Sequence, residues 1–301
     1  MRKKLFSRFE RFVIWGVRNQ VHSHHYIHRG FFAAAQNLGI EVIWLPDLSS
    51  SSSFLKKDDL ILCVNVASRY LPVKDDYFYV LHNFSENINL PKERHIHLQV
   101  LTTSTHKNVY PGARKLLGLS WYNSDKRLLV QPWGTPVSIP QFDKPLDNRN
   151  CRFELFVGSI WNNELDQGNV DVIQEFKNSL KGFSKVFGHS RYIPESLMKY
   201  AVKSSPVSAS FVGKWQSENG YLPCRLFKAI SFGKVGLINS EFAKDMLNLE
   251  IEGRTVQEQL EFCFSLSSKN YLELARTHQI IIRDETYSMK IRNFITAFEI
   301  G

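Results

Sequence analysis

The sequence has few cysteines and lacks the spacings at which cysteines bind metals. Cys63, Cys151, Cys224 and Cys263 are its four cysteines among 301 residues, and no Cys-x-x-Cys pair occurs. Widely separated cysteines in mostly apolar surroundings indicate reduced thiols rather than a disulfide framework or a zinc ribbon. We therefore expect a cytoplasmic protein.

Long apolar runs are also missing. No stretch approaches the roughly 20 residues that a membrane-spanning helix needs. The basic start is not followed by an uninterrupted apolar segment, so we expect no signal peptide. The sequence contains neither a nucleophile elbow nor a P-loop, which disfavours the hydrolase classes built on those motifs.

Acidic residues are the scarcer charge. The 38 Lys and Arg outnumber the 29 Asp and Glu, giving a net charge of +9. This balance fits nucleic acid, an anionic membrane surface or an anionic small ligand. The cations are scattered through the body of the chain and match no nucleic-acid-binding module, so we expect no nucleic-acid partner.

The densest group of cations lies at the N-terminus. On a helix this segment would form a basic amphipathic surface suited to peripheral contact with the inner membrane, whereas a solvated tail is the alternative. The cations, interleaved with apolar side chains, are Arg2, Lys3, Lys4, Arg8 and Arg11.

Length and periodicity predict an α/β protein with two domains. Apolar residues make up 43% and charged residues 22% of the chain, as in globular proteins. Short apolar strands alternate with helical patterns, which is typical of parallel sheets. We place the first domain at 1–138, a linker rich in Pro, Asp and Asn at 139–150, the second domain at 151–285 and a C-terminal helix at 286–301.

Four histidines lie within seven residues, after the first predicted strand at 12–17. The carboxyl ends of parallel strands are where α/β proteins bind ligands, and this loop lies at such an end. His24 and His25 lie in the middle of the loop and are candidates for a general base, because imidazole titrates near working pH. A capping role at the start of the following helix is the alternative.

Two further interpretations concern histidines. His22, His25 and His28 have a spacing compatible with zinc, but no Cys, Asp or Glu accompanies them in the loop, so we expect no metal site. His82 lies near the end of another predicted strand, at 77–83, and is a third candidate for the base, with a structural role as the alternative.

The segment 219–239 combines a turn, a short helix and a buried strand. Asn219 and the glycine after it predict the turn, and Pro223 suits the first turn of a helix. Arg225 and Lys228 lie three residues apart, so both cations are expected on one side of that helix. Such a helix beside a parallel sheet is a plausible site for a diphosphate.

Other residues of the second domain point to the same ligand. The predicted strand that opens this domain ends in Gly158 and Ser159, whose backbone amides can approach a phosphate. Lys214 follows a strand shortly before the helix, so it is either a phosphate ligand or a residue of a surface loop.

This segment resembles the donor-binding segment of GT-B glycosyltransferases, including the fucosyltransferase-like branch. In those enzymes a helix opening with Glu-Lys or Arg-Glu holds the ribose and phosphates of a nucleotide sugar. Cys224 stands at the place of that Glu, so this chain departs from the family at the residue that contacts the ribose. The residues that carry the resemblance are Tyr221, Arg225, Leu226, Phe227, Ala229, Ile230, Gly233 and Val235.

The resemblance implies two Rossmann-like domains with a cleft between them, and a C-terminal helix packed on the first domain. It implies a hexosyltransferase-type enzyme that moves a sugar from a nucleotide-diphosphate sugar to a carbohydrate or lipid-linked glycan acceptor, without a metal or cofactor. The setting would be bacterial surface polysaccharide or lipopolysaccharide synthesis. The alternative is a non-catalytic nucleotide- or sugar-binding relative. The donor-binding candidates are Arg225, Lys228, Lys214, Tyr221, Asn219, Gly158 and Ser159.

Overall fold

The structure is a computed structural model of the chain. It describes residues 8–16, 18, 23–65, 68–84, 90–102, 111–136, 141–158, 160–162, 168–189 and 194–301. The chain divides into two compact units. Unit 1 takes its described residues from 1–20, 24–132 and 287–301, and unit 2 takes its own from 21–23 and 133–286.

Unit 1 is built on an eight-stranded sheet with the order β2-β1-β3-β4-β5-β8-β7-β6. Strands β1 to β5 and β8 pair in parallel, whereas β6 and β7 run antiparallel at one edge. The strands, β1 to β8 in chain order, are Phe12–Trp15, Val42–Leu45, Leu60–Val64, Phe78–His82, His95–Gln99, Arg114–Lys115, Trp121–Asn123 and Leu128–Val130.

The parallel strands are apolar because both faces of the sheet are covered. Every residue of β1 and β3 is buried, as expected for central parallel strands. One face of the sheet packs around Trp15 and Tyr79. The helices of unit 1 are Ser23–Asn37, here called the histidine helix, and Tyr287–Ile300, here called the C-terminal helix, with 3-10 helices at Ser49–Phe54 and Lys92–Arg94.

The C-terminal helix packs on the histidine helix through aromatic rings. The Phe31 ring centroid lies 4.5 Å from that of Tyr287 and 5.4 Å from that of Phe294. Asn293 adds polar contacts to the β6–β7 region, since its amide nitrogen donates to the Leu117 carbonyl at 3.0 Å. The last helix of the chain is thus part of the core of unit 1.

Gly30 permits this close approach of the two helices. A Cβ at position 30 would overlap the ring of Tyr287, which is fully buried. We predict that Gly30→Ala lowers the free energy of unfolding by about 1–3 kcal/mol, because overpacking forces the ring to move. Urea denaturation measures this change. Gln36→Ala, at an exposed position of the same helix, is the control, and an equal effect of both would contradict the packing argument.

Unit 2 contains two paired parallel strands, β9 at Phe153–Gly158 and β10 at Ser184–His189. A parallel bridge joins Ala209 to Leu237, and the Ser210 amide donates to the Leu237 carbonyl at 2.8 Å. The helices of unit 2 are Val170–Ser179, Glu195–Ser204, Lys214–Glu218, Cys224–Ser231 (the arginine helix), Glu241–Leu247, Val256–Ser265 and Ser268–Ile281.

The segment expected to be a linker packs on unit 2 from residue 141 onward. The Asp143 amide donates to the Ser231 carbonyl at 2.9 Å, and the Leu146 amide donates to the Gly233 carbonyl at 3.0 Å. Gly233 ends the arginine helix with a φ of +87°, where a Cβ would overlap the Lys144 carbonyl. These backbone hydrogen bonds make 141–150 a structured part of unit 2.

Within the described residues, no helix is both long enough and apolar enough to cross a bilayer.

Candidate functional site

The strongest candidate site of unit 2 lies where β9 ends beside the arginine helix. The Arg225 guanidinium lies 3.9 Å from the centre of the Phe156 ring, and its Nη1 donates to the Ala209 carbonyl at 3.4 Å. The guanidinium also lies directly against Gly158, where a Cβ would overlap it. The structure therefore brings together two of the predicted donor-binding residues, Arg225 and Gly158.

Arg225 is half-buried and has few protein partners. Burial lowers the pKa of its guanidinium to about 10, so the group remains a cation at neutral pH. Among the residues that the structure describes, no carboxylate hydrogen-bonds to it. A cation held on an aromatic face, with its polar edge short of partners, is suited to bind an oxyanion through bidentate hydrogen bonds.

Two further glycines allow backbone segments to meet beyond the end of β9. A Cβ at Gly168 would overlap the Trp161 carbonyl, and one at Gly213 would overlap the Gly168 carbonyl. Asn169 fixes this approach, since its side-chain oxygen accepts from the Trp161 amide at 3.0 Å. Sequence reasoning did not identify these glycines, because neither lies in a recognisable motif.

Tyr221 and Cys224 lie near Arg225. Both are half-buried, and burial raises the pKa of the Tyr221 hydroxyl, with the neighbouring Cys224 as the next cause. Cys224 is the first residue of the arginine helix, and Pro223 is its N-cap rather than its first helical residue. The tyrosine hydroxyl is therefore a neutral hydrogen-bonding group beside the arginine.

Lys228 is a correction to the sequence-based prediction. Its side chain is only 4% exposed, and its Nζ lies 3.9 Å from the Met198 sulfur. The helix is buried on every side from Leu226 to Ser231, so Lys228 lies in the interior, whereas Arg225, just before this buried stretch, is half-buried. Spacing alone did not indicate where along the helix the burial begins.

The remaining donor-binding candidates differ in exposure and in hydrogen bonding. Asn219 caps the C-terminal end of the helix Lys214–Glu218, since its side-chain amide nitrogen donates to the Trp215 carbonyl at 2.8 Å. The side chain of Lys214 is 89% exposed, with its Nζ 3.9 Å from a Glu218 oxygen. Ser159 lies outside the described residues. Asn219 thus has a structural partner, whereas Lys214 extends into solvent.

The predicted histidine loop is helical, which is a second correction. The histidine helix begins at Ser23, so His24 and His25 lie in its first turn. Ile27 and Phe31 are buried one helical turn apart. This spacing stabilises a helix that includes the polar residues at its start. The 12–17 strand that precedes it is observed as Phe12–Trp15.

Three histidines meet at one edge of the unit 1 sheet. The ring of His24 lies 6.2 Å from that of His28 and 5.8 Å from that of His82, measured between centroids. His25 instead packs on Trp44 at 5.7 Å, and its Nδ1 lies 3.0 Å from the Arg18 carbonyl. The structure thus groups His24 with His28 and His82, and places His25 against Trp44.

Burial makes two of these histidines weak bases. It lowers the pKa of His28 to about 3, with the charges of His82 and His25 adding to the effect, and that of His82 to about 4. His82 is held by its Nδ1, which lies 3.1 Å from the Leu98 carbonyl; this contact assigns the Nδ1–H tautomer. His24 is half-buried and so is the most accessible of the group.

No group of three His, Cys, Asp or Glu side chains within the described ranges is arranged to hold a metal. His22, which entered the zinc alternative, lies outside those ranges.

The low histidine pKa values predict loss of stability in acid. Burial lowers the pKa of His28 in unit 1 to about 3 and that of His278 in unit 2 to about 4, so both are neutral when folded but protonate near pH 6.5 when unfolded. Their contribution is therefore present above about pH 6.5 and lost as pH falls, by on the order of 5 kcal/mol for His28 below about pH 3 and about 3 kcal/mol for His278 below about pH 4.

Urea denaturation of the wild type, His28→Gln and His278→Gln from about pH 7 to about pH 4 measures this dependence. Each substitution removes one group that takes up a proton on unfolding. The free energy of unfolding is therefore expected to fall less steeply with decreasing pH in each variant than in the wild type. Wild-type and variant curves of identical slope would contradict the assignment of buried neutral imidazoles.

Comparisons with known proteins give little further information. Neither a protein-family model nor a curated protein matches the sequence. Among solved structures, the chain is similar to the N-terminal domain of trehalose-6-phosphate phosphatase from Candida albicans, with a TM-score of 0.48 and 9% sequence identity over 96% of each chain. So distant a likeness carries no argument about activity, and the site is interpreted from its own geometry.

Proposed function

We propose that the protein is a GT-B-type glycosyltransferase, with a nucleotide-diphosphate sugar as donor and a carbohydrate or lipid-linked glycan as acceptor. The observation that carries the proposal is the position of Arg225, whose partly desolvated guanidinium lies against Gly158 at the carboxyl end of the parallel strand β9. The resemblance of 219–239 to a donor-binding segment supports the same ligand. Synthesis of a bacterial surface polysaccharide in the cytoplasm, without a metal, belongs to the proposal through that resemblance.

The chemistry requires a fixed cation at the leaving group. Transfer breaks the bond between the anomeric carbon and the diphosphate, so negative charge grows on the diphosphate in the transition state. A guanidinium already held on Phe156 and Gly158 needs no reorganisation to stabilise that charge. Lys214, with its long exposed side chain, is proposed as a second phosphate ligand.

The strand order of unit 1 supports ligand binding by that unit. The order 2-1-3-4-5 reverses between β1 and β3, and in α/β proteins the carboxyl edge at such a reversal is where ligands bind. His24 lies in the first turn of the helix that follows β1. We propose that unit 1 serves the acceptor and that His24 accepts the proton of its hydroxyl.

The role of His24 predicts a selective loss. His24→Gln is expected to reduce transfer by about 100-fold or more while the donor affinity stays within about twofold, because only the proton acceptor is removed. Turnover and donor dissociation constants, measured on the same preparations, separate the two effects. His95→Gln is the control, because His95 is held by the Pro91 carbonyl within unit 1. Unchanged turnover in His24→Gln would eliminate this residue as the base.

A non-catalytic nucleotide-binding protein is the second candidate. Two observations favour it: Cys224 replaces the carboxylate expected at the ribose, and His82 is a weak base. Such a protein would bind nucleotides through Arg225 but would not cleave the donor.

The test is nucleotide release from a panel of UDP-, GDP-, ADP- and CMP-sugars, with magnesium or with a chelator. Release from one donor, lost in Arg225→Ala, supports the transferase. Saturation-transfer NMR signals without release support the non-catalytic binder. Neither binding nor release, in protein shown to be folded, would remove both.

A further inference from the structure

We propose that Glu154 is a positioning residue for Arg225, and that binding of the donor diphosphate is coupled to uptake of one proton by Glu154. This inference rests on the proposed function, because it assumes that Arg225 binds the diphosphate. It concerns a residue that does not itself touch the ligand.

Strand geometry places Glu154 in line with the site. Alternate residues of a strand share one face, so Glu154, Phe156 and Gly158 lie along the same side of β9. The Arg225 guanidinium covers the last two of these residues. Glu154 is 1% exposed and lies on the same side of β9 as the two residues that the arginine contacts.

Two cations act on this carboxyl group. The charge of Arg225 acts on it from the arginine helix, and Lys234 follows that helix with its side chain fully buried. The Lys234 amine donates to the Ser205 carbonyl at 2.6 Å, and the Ser205 hydroxyl accepts from the Leu155 amide at 2.9 Å. In the part of the chain that the structure describes, one Glu154 oxygen (Oε2) has no hydrogen-bond partner.

On the neighbouring strand β10, Lys185 is the register partner of Glu154. The described cations of the helix packed against β9 are already paired. On the helix Glu195–Ser204, Lys199 and Lys203 lie 2.9 Å and 3.5 Å from an Asp143 oxygen. The Lys234 amine is itself affected by burial, which lowers its pKa to about 8. Among the side chains that the structure describes, Lys234 is therefore the main rival to Glu154 as the group that exchanges a proton, and the experiment must separate the two.

Electrostatics gives the direction of the coupling. Burial raises the pKa of Glu154 to about 8, against the smaller opposing effects of the Val207 backbone and of Lys234 and Arg225. A bound diphosphate adds negative charge to the same cations, so it favours the neutral carboxylic acid still further. Ionised Glu154 competes with the diphosphate for Arg225, and affinity is expected to fall as pH rises above about 8.

The experiment is calorimetric titration with magnesium-free UDP, GDP or ADP, whichever binds, near pH 8 in two buffers of different ionisation enthalpy. The difference in observed heat gives the number of protons taken up. Near pH 8 the wild type is expected to take up about half a proton at most, because Glu154 with a pKa of about 8 is already half protonated there. Its dissociation constant is expected to rise by as much as about tenfold per pH unit at higher pH. Glu154→Gln is expected to take up none and to keep a flat profile.

Lys234→Met identifies the proton acceptor. It is expected to retain proton uptake, since Glu154 is intact. Uptake that persists in Glu154→Gln and disappears in Lys234→Met would overturn the assignment. If Glu154→Gln does not fold, the infrared difference spectrum of wild-type protein with and without nucleotide replaces it, and gain of a protonated carboxylic acid band on binding is the expected result.

The outcomes separate the two proposals. Nucleotide binding without proton uptake rejects the role of Glu154 and leaves the donor site standing. No binding of any nucleotide to folded wild-type protein rejects the donor site, and the role of Glu154 with it.

Discussion

Arg225→Ala is expected to weaken the binding of a nucleoside diphosphate by about 100-fold, since it removes two charge-assisted hydrogen bonds worth about 1.5 kcal/mol each. Stability is expected to change little or to rise, because the substitution also removes a desolvated charge. Equilibrium dialysis with labelled nucleotide measures the affinity, and thermal denaturation measures the stability.

Two variants make this result specific. Arg225→Lys keeps the charge but loses the planar fork, so an intermediate affinity is expected. Arg152→Ala removes another cation of unit 2, one that lies over Phe183 before β9 begins, and it should leave affinity unchanged. If Arg152→Ala weakened binding as much as Arg225→Ala, the ligand would respond to net charge and not to the site.

Gly158→Ala is expected to reduce nucleotide affinity by about 10- to 100-fold. A methyl group at this position would occupy the space of the Arg225 guanidinium and displace it from Phe156. The free energy of unfolding is expected to change by less than about 1 kcal/mol, because the methyl group would meet only the end of the flexible Arg225 side chain, which can move aside. Calorimetry and urea denaturation on one preparation give both values.

The matched control is Gly182→Ala, between the helix Val170–Ser179 and β10. A Cβ at Gly182 would meet no atom within 4 Å, although its φ of +76° strains an alanine. We expect a loss of about 1 kcal/mol in stability and unchanged nucleotide affinity. Normal affinity in Gly158→Ala would show that the guanidinium does not need its present position to bind the ligand.

Strands were easier to predict than the site. The parallel strands β1 to β4 correspond to largely apolar runs, and the structure places strands within those segments. Strand β5 alternates polar and apolar residues. The start of the histidine helix was missed because its first turn contains His24 and His25, and the apolar helical spacing begins only at Ile27. Helical periodicity is a weak guide where an element begins with titratable residues.

The environment of a side chain was the less predictable part of the site. Arg225 and Lys228 look equivalent in the sequence, yet one stacks on Phe156 and the other lies against Met198. Glu154 gave no signal at all, because a single Glu in a strand is ordinarily exposed to solvent. Its significance depends on Lys234, 80 positions further along the chain, and such pairings follow from the tertiary fold alone.

The most direct test of the donor site is calorimetric titration of wild-type protein with UDP, GDP, ADP and CMP, without metal and then with magnesium. The account predicts that one nucleoside diphosphate binds with a one-to-one stoichiometry, that the mononucleotide CMP binds more weakly, and that magnesium is not required. Absence of binding by all four nucleotides, in protein whose cooperative unfolding shows it to be folded, would contradict the proposal that Arg225 forms a diphosphate site.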